Sequence, residues 1–267
     1  MILYRQYARA ERKTFFGLVI LLILTLFISV GTFMLFQRSG ALAELEKMLH
    51  ALPGPLQAIF RQEFSFTVIE GWLINQFWRI EFPLVMAAAT AIGTVAVLAK
   101  EADQGTLSFL LALPVSRTQV LLQRFGALLT GLALLHAIVA VAVPTVMIAF
   151  DLQADWSAYG LMALGAFLAQ AATAGIVLLV TVFLDDAPIA TAVSLVLSIG
   201  LFFLTLLLKM EGWQLALRRL SPFHYYEPGA ILQTGAFDGT NVAILLALLA
   251  VATTGALLAF NRKQVSG

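Results

Sequence analysis

Six apolar runs of membrane length punctuate the chain: Thr14 to Phe36, Phe77 to Ala99, Leu121 to Phe150, Ala158 to Leu184, Ile189 to Leu208 and Val242 to Phe260. A helix needs about 20 mostly apolar residues to cross a hydrocarbon core. The pattern therefore predicts an all-α, polytopic membrane protein of six transmembrane helices, with residues 1–267 forming a single transmembrane domain. Two amphipathic stretches lie outside the runs. In residues 1–13, Arg5, Arg9 and Arg12 recur at helical spacing while Leu3, Tyr7 and Ala10 share a different face. That arrangement describes a basic helix lying in the membrane interface, or a solvated tail that only orients the first span. After the first run, Leu42, Leu45, Leu49 and Leu52 precede Pro53 and Pro55. This stretch is expected either to rest on the membrane surface or to pack on the ends of the spans.

The passage Glu101 to Arg117, EADQGTLSFLLALPVSR, has a different character. Gly105 permits a turn closed to other residues, a short apolar helix follows from Leu107 to Leu113, and Pro114 stops it. Ser116 and Gln119 then fit a capping box, in which each side chain satisfies an orphan backbone donor of a new helix. The short helix is apolar nearly all round, and such a surface needs a cover.

Composition agrees with the pattern: 61% of residues are hydrophobic and 12% charged, against roughly 25% charged in soluble domains. The absence of cysteine removes disulfides and thiolate metal sites. Charge sets an expected orientation. Arg5, Arg9, Arg12 and Lys13 precede the first run, Lys100, Arg117 and Arg124 flank the second turn, and Arg262 and Lys263 follow the last run. Lys and Arg concentrate on the cytoplasmic side, so both termini and the 101–117 passage are expected there. Arg38, Lys47, Arg61, Lys209, Arg218 and Arg219 lie opposite, the first three of them among Glu44, Glu46, Glu63 and Glu70. The first apolar run exceeds the roughly 7–15-residue core of a signal peptide and is read as a retained span.

The search for chemistry is mostly negative. The sequence has no G-x-x-x-x-G-K-[ST] phosphate loop, no H-E-x-x-H and no G-x-S-x-G. His50, His136 and His224 show no ligand-like spacing, so no catalytic or metal residues are assigned. Asp185 and Asp186 before Pro188 read as a solvated turn with Pro opening the next helix. Glu81 and His136 fall inside spans, where a charge is costly and faces protein or water. With Phe202 they are candidates for a gate or cavity. The competing reading makes Glu81 a structural partner of Arg79 or Arg61, and His136 a neutral interhelical hydrogen-bonding group. Gly165, Ala169, Ala172 and Gly175 in the fourth run favour close helix approach.

The cytoplasmic pattern Glu101, Gly105-Thr106-Leu107, Leu110-Leu111, Pro114-Val115-Ser116-Arg117 resembles the signature between the second and third spans of type-2 ABC transporter permeases. The basic first helix, the long first outer loop and Ser221-Pro222-Phe223-His224-Tyr225-Tyr226 before the last span fall where that family has them. The resemblance implies an exporter permease whose 101–117 segment couples, through Glu101, Gly105, Thr106, Leu107, Leu110, Leu111, Pro114 and Arg117, to a separate ABC ATPase. It further implies two ATPase copies that bind ATP and Mg, a second permease (homodimer or similar paralogue), and a partly re-entrant last outer loop. No cofactor is expected in this chain and no nucleic acid among its partners, and the setting implied is a bacterial or archaeal inner membrane. An ion-gradient-driven secondary transporter is one alternative, although no internal repeat with broken helices is found. A scaffold that only holds a cytosolic ATPase is another. Phe82, Met86, Phe202 and Phe203 mildly favour an apolar or amphiphilic cargo.

Overall fold

The computed structural model describes residues 2–53, 64–98, 116–208 and 211–263, and every regular element in them is helical. Helix α1 (Ile2–Ala10) leads into α2 (Arg12–Ser39), followed by α3 (Ala41–His50). Next come α4 (Ile69–Leu73), a π-helix (Ile74–Glu81) and α5 (Phe82–Val95) without a break. The long helices α6 (Arg117–Ala149), α7 (Trp156–Thr181) and α8 (Ala187–Leu207) precede a folded connection. That connection holds α9 (Gly212–Arg218), a 3-10 turn (Pro222–Tyr225) and α10 (Pro228–Thr234), and α11 (Gly239–Arg262) follows it.

Five of these helices, α2, α6, α7, α8 and α11, are long and apolar enough to cross a membrane. They match five of the six apolar runs. The second run differs, because helix begins at Ile69, well before the apolar stretch from Phe77, and changes type on the way. Polar residues hide this early start from a hydropathy reading, yet they are satisfied locally: Asn75 donates to the Phe64 carbonyl at 2.8 Å, and Gln76 donates to Glu81 at 2.9 Å. The π-helix ends where Pro83 begins the next turn. Proline has no N–H and its ring crowds the carbonyl four residues back, and the chain widens there, with the Phe82 N–H bonded to the Phe77 carbonyl.

Helix α7 is the centre of the bundle. Its most apolar window is 67% buried, against 17% for that of α11, and it packs on α11, α6, α5 and α8. The small residues explain why. A Cβ on Gly175 would sit 3.4 Å from Ala252 and from the Leu249 carbonyl, and one on Gly165 would sit 3.1 Å from Tyr226. Ala169 and Ala172 are fully buried. The predicted close approach is thus to α11 and to the connection after α8.

Polar side chains stitch the apolar helices. Gln170 of α7 accepts from Thr90 at 3.1 Å and donates to the Pro83 carbonyl at 3.2 Å, while Ser198 of α8 donates to the Ala87 carbonyl at 2.8 Å. Interhelical bonds of this kind average about 0.6 kcal/mol in a membrane, so they fix register more than they supply stability. Trp72 donates to the Ser29 carbonyl at 3.0 Å, which ties α4 to α2. Gly71 lets the chain pass there: a Cβ on it would lie 2.0 Å from the Ser65 carbonyl oxygen.

The flanking stretches resolve as helices with buried faces. Leu3 and Tyr7 of α1 are buried and Arg5 and Arg9 exposed, although Ala10, expected on the apolar face, is exposed. In α3, Leu42 and Leu49 join the main core, so this helix packs on protein. Gly40, in the left-handed region at φ 75°, makes the turn between α2 and α3. Asp186 caps α8 by accepting from the Ile189 N–H at 2.8 Å, with Pro188 in the first turn as expected.

Candidate functional site: the two polar ends of the bundle

Helices α5, α7 and α11 finish at one end of the bundle, and α2, α6 and α8 start there. A helix C-terminus leaves carbonyls without intrahelical donors and carries partial negative charge. Each of the three finishing helices receives a cation from another element. Arg124 of α6, 2% exposed, donates to the Val97 carbonyl beyond α5 at 2.9 Å. Lys263 donates to the Val182 carbonyl at the end of α7 at 2.7 Å and pairs with Asp185 at 2.6 Å. Arg117, the first residue of α6, donates to the carbonyls of Phe260, at 3.3 Å, and of Lys263. Asn261 donates to Thr118 at 3.1 Å beside it. Asp185 is exposed in the connection before α8, as expected of a solvated turn, and also pairs with Lys263.

The Ser116–Gln119 capping box is present in both directions, at 3.2 Å each way. Arg117 is the one coupling candidate among the described residues. Glu101, Gly105, Thr106, Leu107, Leu110, Leu111 and Pro114 lie outside them. What the structure adds is an anchor at the segment's last residue: Arg117 is bonded to the end of α11 and to the carbonyl of Lys263, whose side chain is bonded to the end of α7.

At the opposite end, Glu227 bridges two arginines, Arg218 at 3.5 Å and Arg79 at 3.9 Å. Arg218 is 2% exposed and also donates to the Leu208 carbonyl at 3.0 Å. Ser221 donates to the Leu201 carbonyl at 2.7 Å and accepts from Thr205 at 3.0 Å, while Phe223 packs edge-on against Phe202 at 5.7 Å. The connection after α8 is thereby fastened to α8 and to the π-helix. A cavity of about 40 Å³ lies among Arg79, Phe202, Arg218, Tyr226 and Glu227.

The three gate candidates are not gathered in that cavity. Phe202 lines it and Glu81 and His136 do not. Glu81 is half-buried, with one oxygen accepting from Gln76 and the other without a hydrogen-bond partner among the described residues. Arg79, considered as its partner from sequence, pairs instead with Glu227, and Arg61 lies outside the described residues. His136 is buried, its Nδ1 2.8 Å from the Leu132 carbonyl of its own helix, with its ring against Phe82 and Phe167. Among the described residues no group of three or more acidic or histidine side chains is arranged to hold a metal. Sequence reasoning missed Glu227 altogether. Its only signal was an acid placed before Pro228 in a segment otherwise poor in acids.

Long apolar helices tied by polar side chains at both ends define a multi-pass membrane protein. The chain belongs to the ABC-2 family of transporter proteins, whose family model matches residues 9–265. Membership makes it an ABC permease, a transport subunit that works with an ABC ATPase. No curated protein matches the chain.

Proposed function

We propose that this chain is the membrane half of an ATP-driven exporter, pairing with a second permease to form the cargo path above two ATPase subunits. In this reading α4, the π-helix and α5 together make the sixth span, and both termini and the 101–117 segment face the cytoplasm. The connection after α8 dips partly into the outer leaflet. Residues Glu101 to Arg117 dock on the ATPase, and cargo of apolar or amphiphilic character moves outward when ATP closes the ATPase pair.

The observation that best supports this reading is the tie of Arg117 to the end of α11, with Lys263 continuing it to α7. A segment anchored to three spans at once transmits a push to the bundle centre, whereas one loosely joined to its own two spans would flex. The charge pattern supports the orientation, since Arg5, Arg9, Arg12, Lys13, Arg117, Arg124, Arg262 and Lys263 all lie toward this end.

The test uses the chain co-expressed with its ATPase. Leu110→Asp should leave membrane insertion intact and abolish co-purification of the ATPase, because a charge is forced into an apolar contact at a cost of a few kcal/mol. Gly105→Val and Pro114→Leu should weaken it. Co-purification at the wild-type level in all three would remove the docking assignment. ATP-dependent movement of a lipophilic solute in vesicles separates the exporter from a scaffold, and its persistence on an ion gradient without ATP would favour a secondary transporter.

A further inference from the structure

A groove of about 350 Å³ lies between α1, α2, α5 and α6, on the side of the bundle toward the Arg117 end, and none of the cations that bond the helix-terminal carbonyls there lines it. Leu18, Gly93, Leu128, Leu132 and Leu135 give it apolar walls. Tyr7 closes its inner side, donating to the Gly93 carbonyl at 2.8 Å and holding α1 against the bundle. Phe16 and Leu134, both among its lining residues, are 52% exposed, so the groove opens on the outer surface of the helices. Arg12 is the cation of the groove, held over the Phe16 ring at 5.6 Å. Residues 5–13 set four cations, Arg5, Arg9, Arg12 and Lys13, against the single acid Glu11, which also lines the groove.

We propose that this groove binds one anionic phospholipid of the leaflet that meets α1, with an acyl chain along Leu128 and Leu132 and the phosphate drawn to Arg12. Position and charge argue for a lipid: the groove opens on the exposed outer surface of apolar helices and has a cation at one end. The walls offer water few partners, whereas hydrocarbon loses nothing there. The local excess of cations selects the headgroup, since a basic residue near a membrane surface attracts anionic lipid.

The purified chain is reconstituted with phosphatidylglycerol and phosphatidylcholine of identical acyl chains in equal amounts, and retained lipid is counted by native mass spectrometry. One phosphatidylglycerol per chain should be retained, on the order of tenfold over phosphatidylcholine. The double variant Arg9→Gln, Arg12→Gln should bring the ratio near one. Gly131→Phe should expel both lipids, because Gly131 lines the groove and a Cβ on it meets nothing within 4 Å. Thr14→Trp, at an exposed lining position, is a second filler should the first disturb folding. Equal retention of the two lipids by the unmodified chain would overturn the proposal. So would undiminished phosphatidylglycerol in a folded filler variant.

Discussion

The two ends of this bundle use the same residue types in opposite ways. At the Arg117 end, Lys263, Arg117 and the buried Arg124 reach helix-terminal carbonyls, and the Lys263–Asp185 ion pair has Asp185 67% exposed. At the Glu227 end, Arg218 is 2% exposed and its carboxylate partner is 28% exposed. An exposed pair contributes about 0–1 kcal/mol. A buried charge left without its partner costs several times more. Arg124 is as buried as Arg218 and bonds a carbonyl, so the contrast lies in the ion pairs: the exposed one breaks and reforms cheaply, and the one that holds Arg218 resists opening. On the docking proposed above, movement enters at the end with the exposed pair and is resisted at the far one.

The largest expected effect is at Glu227. Glu227→Ala leaves Arg218 buried beside a lost carboxylate and should cost about 3–5 kcal/mol, read as a marked fall in the unfolding midpoint of the detergent-purified protein. Adding Arg218→Met should recover much of it, since a buried pair replaced by apolar side chains is often neutral. An unchanged midpoint in the single variant would remove the contrast between the two ends.

The middle of the bundle comes next. Gly175→Val overfills the contact of α7 with Leu249 and Ala252 and should cost roughly 1–3 kcal/mol. Gly126→Leu, where a Cβ meets nothing within 4 Å, should cost nothing and even gain helix propensity. Equal losses in both would mean that α7 is not the close-packed axis on which the two ends bear.

At the Arg117 end, Lys263→Ala should lower stability by about 1 kcal/mol at most while reducing ATP-dependent transport more than that loss explains. A fall in stability as large as that of Glu227→Ala would erase the distinction. Co-purification of the ATPase serves as the control, because the 101–117 segment itself is untouched.

How far the sequence carried this reading depends on which physical signal each feature has. Five apolar runs were legible because length and hydropathy alone define a membrane helix. The second run was misjudged at its start, since Asn75, Gln76, Arg79 and Glu81 depress hydropathy whether or not partners satisfy them, and partners are a tertiary fact. The Ser116–Gln119 cap was legible because it is local. Ser116 and Gln119 find each other within one turn. The Arg117, Lys263 and Glu227 contacts were not, because each joins residues far apart in the chain that carry no mark of pairing. Gly165 and Gly175 announced a close approach without naming the neighbour, which is decided by how α7 sits in the bundle.

The smallest effect is expected at Glu81, which lies between the two regimes. It was weighed as a partner of Arg79, yet Arg79 is drawn to Glu227 and the hydrogen bond that Glu81 accepts comes from Gln76 on the same turn of π-helix. Gln in its place keeps the shape and the acceptor, so Glu81→Gln should shift stability by less than about 0.5 kcal/mol, as a substitution that breaks no pair does. The double-mutant cycle with Arg79→Gln should be additive within about 0.5 kcal/mol, whereas that of Arg79 with Glu227 should show coupling above this. Coupling of Glu81 to Arg79 as strong as that of Glu227 would place Glu81 in the cluster around Glu227. A transport defect with unchanged stability would instead make its charge part of the cargo path.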